Sequence, residues 1–186
     1  MKAKSRFTVK RLAMDGLLVA MTLVVAMLKI QIGGLKLTFE ALPTILCAVI
    51  FGPVDAMIVG GLGELLDQLT SFGLTPTTVL WILPAVSRGL FVGLCVMAMN
   101  KRLSADTLTK TKHSVLFVIV CIISAIIVSC INTVALYVDS KMFGYYSYAM
   151  VFGVFGVRII TGVISSAIMA IAAMPIVAAL KKTKFI

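Results

Sequence analysis

Negative charge is scarce in this sequence: 7 Asp and Glu stand against 17 Lys and Arg in 186 residues, and charged residues of both signs make up only 13% of the chain. Water-soluble domains carry roughly a quarter charged residues. With 61% hydrophobic residues and a mean hydropathy of +1.12, this chain is not one of them. Histidine occurs once, as His113 at a polar linker edge, and Cys47, Cys95, Cys121 and Cys130 form no CxxC pair. Neither a His/Cys metal site nor a disulfide framework is expected, and the thiols read as reduced and structural. There is no GxxxxGK[ST] loop, HExxH or GxSxG, so the sequence offers no phosphate cradle and no hydrolytic centre, and it does not read as an enzyme. No basic stretch is interleaved with stacking aromatics, which removes nucleic acid as the partner for the net charge of +10.

The basic residues instead fall in clusters. Lys2, Lys4, Arg6, Lys10 and Arg11 open the chain, Lys101, Arg102, Lys110 and Lys112 lie in one linker, and Lys181, Lys182 and Lys184 close it. Such loops mark the cytoplasmic side of a membrane protein. Apolar runs over residues 12–30, 38–51, 54–71, 79–100, 114–137 and 147–180 predict six transmembrane helices in one all-α membrane domain, 1–186, with both termini cytoplasmic. The second run is short. Phe51-Gly52-Pro53 reads as a tight turn that makes helices 2 and 3 a hairpin. The outer face then carries loop 31–37, the stretch Ser71 to Thr78, and Asp139 to Tyr146. The basic start followed by an apolar run lacks a small-residue cleavage pattern and reads as an uncleaved first helix.

Ionisable groups inside the hydrocarbon region are costly unless they line a cavity or pair with one another. Glu64, Asp67, Arg88 and Arg158 are the four that fall there. Glu64 and Asp67 are three apart and share a helix face, while Trp81, Pro84 and Arg88 lie close to one line on helix 4. Asn132 and Thr133 add neutral hydrogen-bonding groups. Two arrangements fit this pattern: salt bridges between the acids and the arginines, or a polar cavity open to the outside. An aromatic plane beside a guanidinium suits a flat, polar, partly anionic ligand. Phe143, Tyr145, Tyr146 and Tyr148 form either a lid over such a cavity or an interfacial aromatic belt. Lys29, Lys36 and Glu40 flank the first outer loop, within reach of an entering ligand, and snorkelling to the interface accounts for Lys29 equally well.

These features together resemble the substrate-binding S component of energy-coupling factor (ECF) vitamin transporters. Gly60-Gly61-Leu62-Gly63-Glu64-Leu65-Leu66-Asp67 and the helix 2–3 turn are shared by many S components. The segment Gly73-Leu74-Thr75-Pro76-Thr77-Thr78-Val79-Leu80-Trp81-Ile82-Leu83-Pro84, followed by Arg88-Gly89-Leu90, is similar to the folate group. The resemblance implies a bacterial cell-membrane receptor that takes folate from outside, docks on a transmembrane coupling protein driven by two cytoplasmic ATPases, and needs no cofactor of its own. It also implies that the family's Ala-x-x-x-Ala docking pattern on helix 1 is met here by Gly16 and Ala20. Ligand contacts are then expected from Lys29, Glu64, Asp67, Trp81, Arg88, Asn132 and Arg158: acceptors for the pterin donors, Trp81 for stacking, and cations for the glutamate carboxylates. An S component for another vitamin, such as pantothenate or a thiamin precursor, and a small intramembrane enzyme or channel are the other readings.

Overall fold

The computed structural model describes residues 9–28, 30–32, 35–102 and 111–182. Six helices account for nearly all of it: α1 (Val9–Met27), α2 (Ala41–Ile50), α3 (Pro53–Ser71), α4 (Thr78–Arg102), α5 (Thr111–Met142) and α6 (Phe155–Lys182). The first outer loop is not irregular. It folds as an antiparallel ribbon in which β1 (Ile30–Ile32) pairs with β2 (Leu35–Leu37), Gln31 opposite Lys36.

Three segments, Thr78–Met99, His113–Met142 and Ala149–Leu180, are long and apolar enough by themselves to cross a membrane. Helices α1 and α3, at 19 residues each, span ~28 Å at 1.5 Å per residue and carry Asp15, and Asp55, Glu64 and Asp67, respectively. All of these acids but Glu64 are buried, turned to the interior and not to lipid.

The last apolar run, expected to be helical from 147, is broken. A π-helical turn, Ala149–Gly153, precedes α6, which starts at Phe155; α5 in turn extends to Met142 before Gly144, at φ +76°, reverses the chain. A left-handed residue ends a helix with little strain only when it lacks a Cβ. The α2–α3 turn works the same way: Gly52 has φ +99° and Pro53 starts α3, where its missing N–H costs nothing.

The short α2 organises the bundle. It packs against α1, α3, α4 and α6, and seven of its ten residues are buried, Ile45 and Cys47 completely. Around its lower part lies the apolar core, with Val59 from α3, Val92 and Val96 from α4, Phe117 and Cys121 from α5, and Ala170 and Ala173 from α6. Helix α4 lies tightly on α3, because Gly60 sits under the Ala85 carbonyl and Gly89 under that of Ala56; a Cβ at either glycine would meet backbone. At the α1–α2–α3 corner, Arg11 is ion-paired to Asp55, donates to the Phe51 carbonyl at 2.7 Å, and stacks over the Phe51 ring.

A ten-residue helix is only ~15 Å long. Its neighbours α4, α5 and α6 continue well past it. The space above the N-terminus of α2 therefore has no helix to fill it, and this is where the cavity forms.

Candidate functional site

That cavity has a volume of about 930 Å³, within the range of small-molecule sites. Its floor is the first turn of α2, with Ala41 and Thr44, and its walls come from α1, α3, α4, α5 and α6. Glu64, Asp67, Trp81, Arg88, Asn132 and Arg158 all line it, so the six expected ligand contacts that can be placed share one space. The seventh, Lys29, lies outside the described residues. Gly16 and Ala20 are elsewhere, exposed on the outer flank of α1, with no atom within 4 Å of a Cβ built on Gly16.

The salt bridges that were the alternative are not formed. Among the described residues the ion pair is Arg11–Asp55, remote from the cavity. Glu64 accepts a hydrogen bond from Gln68 Nε2 at 3.2 Å, and Asp67 accepts one from Ser71 at 3.4 Å. Arg88 is enclosed on α4, where Glu40 and Glu64 act on its charge from the sides of α2 and α3, yet its guanidinium hydrogen-bonds no described residue. Arg158 is held differently. Its Nη2 donates to the Met150 carbonyl at 2.9 Å and its Nη1 to the Val151 carbonyl at 3.4 Å, both in the π-helical turn, and no described carboxylate acts on its charge. Main-chain carbonyls orient a guanidinium without neutralising it. The irregular turn thus presents a full positive charge to the cavity, in keeping with the frequent occurrence of π-helical segments at functional sites.

Trp81 is placed by its own helix start. Thr75 N–H donates to Thr78 Oγ1 at 2.9 Å and Pro76 follows Thr75, so the Thr-Pro-Thr-Thr run winds directly into α4 and turns Trp81, Pro84 and Arg88 to the cavity. The Thr77 hydroxyl donates to Asp139 at the end of α5, as does the Tyr145 hydroxyl. Phe143 and Tyr145 line the cavity mouth. Tyr146 instead meets the Tyr137 ring edge-on at 5.6 Å, and Tyr148 packs against Phe152 at 5.3 Å with the rings tilted. Two of the four outer aromatics thus line the cavity, and the other two pack against neighbouring rings. Thr133 is not in the site, since its hydroxyl bonds back to the Ser129 carbonyl at 2.8 Å.

Residue-type reasoning singled out neither Gln68 nor Asp139 as a lining group. Gln68 lies four residues from Glu64, a helical spacing that signals a shared face. Asp139 sits at a helix end, where an acid looks like an ordinary loop residue, and nothing local flags it.

A multi-helix membrane protein with a deep, mixed-charge cavity fits the class of substrate-binding membrane proteins. Comparison with known proteins gives the family. The model of the ECF-type riboflavin transporter S component matches residues 6–182, and the chain belongs to that family. A solved structure described as "Structure and mechanism of the S component of a bacterial ECF transporter" is similar at 25% identity and a TM-score of 0.61, covering 92% of this chain and 98% of that one. No curated protein matches the sequence. The chain is therefore a substrate-binding membrane subunit of an ECF transporter, a multi-pass protein of the bacterial cell membrane and not an enzyme, working on a vitamin with the ECF module.

Proposed function

We propose that the vitamin is folate, captured from outside and delivered inward when the Gly16/Ala20 face of α1 docks on the coupling protein carried by two ATPases, with the termini on the cytoplasmic side. The observation that carries the folate reading is Arg158, a cavity cation whose acceptors among the described residues are neutral carbonyls. A half-buried cation in a cavity without a counter-ion favours an anionic ligand group, and a ligand carboxylate supplies one with charge-assisted hydrogen bonds. Folate brings two carboxylates on its glutamate, a flat pterin for Trp81, and ring N–H donors for Glu64, Asp67 or the amide oxygen of Asn132.

Riboflavin is the second reading, favoured by the family model that the chain matches. It has a flat ring for Trp81 but no anionic group for Arg158. Titrating the purified receptor with folate, riboflavin, pantothenate and thiamin precursors, following Trp81 emission and confirming by calorimetry, separates the two. Saturable folate binding with no response to riboflavin is expected. Riboflavin binding alone would keep the receptor and replace its ligand.

A further inference from the structure

Glu40 lies at the N-terminal end of α2, at the cavity wall. A carboxylate there is favoured by the helix dipole, which by itself is reason enough for its place. Its surroundings point to more. Among the described residues it accepts one hydrogen bond, a long one of 3.4 Å from Thr38 Oγ1. It also acts on the charges of both Glu64 and Arg88, so the three groups converge on one part of the cavity from α2, α3 and α4. Glu40 and Glu64 thus line the cavity together with the Arg88 guanidinium, and Asp67 lies one turn further along α3. The guanidinium is enclosed but hydrogen-bonds no described residue. A wall of this kind has acceptors with unused lone pairs beside a donor with unused N–H groups. It is complementary to a ligand edge that presents donors and an acceptor side by side.

We propose that Glu40, acting with Glu64 and Arg88, is the specificity-determining residue of the cavity, and that it selects a 2-amino-4-oxo pyrimidine edge over a 2,4-dioxo edge. The inference rests on the reading of this cavity as the capture site. The two edges share the N3–H donor and the 4-oxo acceptor and differ at position 2. An amino group there donates to a carboxylate. An oxo group sets its lone pairs against that carboxylate, which loses the hydrogen bond and adds repulsion. Flavins carry the dioxo edge and pterins the amino-oxo edge, so this one wall separates the two ring systems within a common fold.

The test uses pterin and 8-methyllumazine, whose 2,4-dioxo edge leaves N1 unprotonated as it is in pterin and in flavins, with full-length receptor in detergent, alongside folate. Wild type is expected to prefer pterin by roughly 10- to 100-fold, the range set by one charge-assisted hydrogen bond. Glu40→Gln, which keeps the shape but removes the charge, is expected to cut that preference at least several-fold, and Glu40→Asp to retain most of it. Folate binding by wild type with an undiminished pterin preference in Glu40→Gln would overturn the role of Glu40 and leave the capture reading standing. A wild-type receptor that binds neither folate nor pterin would remove the folate reading and this inference with it. The wild-type ratio is itself decisive if Glu40→Gln does not fold: equal binding of the two fragments overturns the proposal.

Discussion

The Tyr145 hydroxyl donates to the carboxylate of Asp139, six residues earlier, and Asp139 also accepts from Thr77 at the start of α4. One acid thus ties the α3–α4 loop to the α5–α6 connection across the cavity mouth. The hydrogen bond to Asp139 is the main reason that the Tyr145 hydroxyl titrates late, pushed up to about 12. The tie is therefore complete below the ordinary tyrosine value of 10 and is lost only as pH rises through about 12, so it does not vary across physiological pH. Tyr145→Phe and Asp139→Asn should each speed ligand release by roughly 2- to 12-fold, the worth of one ordinary hydrogen bond, with a smaller effect on the association rate. A tyrosinate absorbance titration checks the link directly. One of the four tyrosines should titrate late in wild type and return to the ordinary range in Asp139→Asn. Four tyrosines titrating together in wild type would refute the tie.

Arg158 and Arg88 look alike in sequence, each a lone arginine in an apolar helix, but their surroundings separate them. Glu40 and Glu64 act on the charge of Arg88, while Arg158 hydrogen-bonds only main-chain carbonyls among the described residues. The ligand's anionic part is therefore assigned to Arg158. Arg158→Gln should weaken folate binding roughly 10- to 100-fold, and Arg158→Lys, which keeps the charge but not the fork, should recover part of that. Pterin itself, which has no anionic tail, should bind Arg158→Gln about as well as wild type. Calorimetry with both ligands settles the matter, and an equal loss for folate and pterin would show that the substitution disturbs the cavity as a whole.

How far the sequence carried these assignments depended on whether the determining physics was local. Glu64, Asp67, Arg88 and Arg158 stand out because a charge in an apolar run is expensive, and that cost can be read from composition alone. The turn at Phe51-Gly52-Pro53 was legible for the same reason, since Gly and Pro dictate backbone shape within a few residues. The π-helical turn was not. Ala149–Gly153 is as apolar as α6, and periodicity cannot separate a π turn from an α-helix over five residues. The β1–β2 ribbon was hidden too, because six paired residues are too few for an alternation signal. The weight of Glu40 was out of reach, since it comes from two charges on other helices, 24 and 48 positions away along the chain.

Small residues divide into two groups that substitution should separate. Gly89 and Gly93 on α4 lie against the backbone of Ala56 and Pro53, where a Cβ would force the α3–α4 pair apart. Gly89→Ala and Gly93→Ala should each destabilise the isolated receptor by about 1–3 kcal/mol through overpacking and lower its melting temperature in detergent. Gly16 and Ala20 lie on the exposed flank of α1, where a Cβ built on Gly16 has no described atom within 4 Å. Close approach of another helix to that flank requires small residues, because a Leu there would hold the backbones apart. Gly16→Leu and Ala20→Leu should therefore leave folding and vitamin binding nearly unchanged while abolishing uptake in cells that also express the coupling protein and ATPases. Paired assays of binding by the purified protein and uptake by whole cells read the two properties separately. Uptake that survives both Leu substitutions would move the docking face off α1, and loss of binding in either would return these positions to the receptor's own packing.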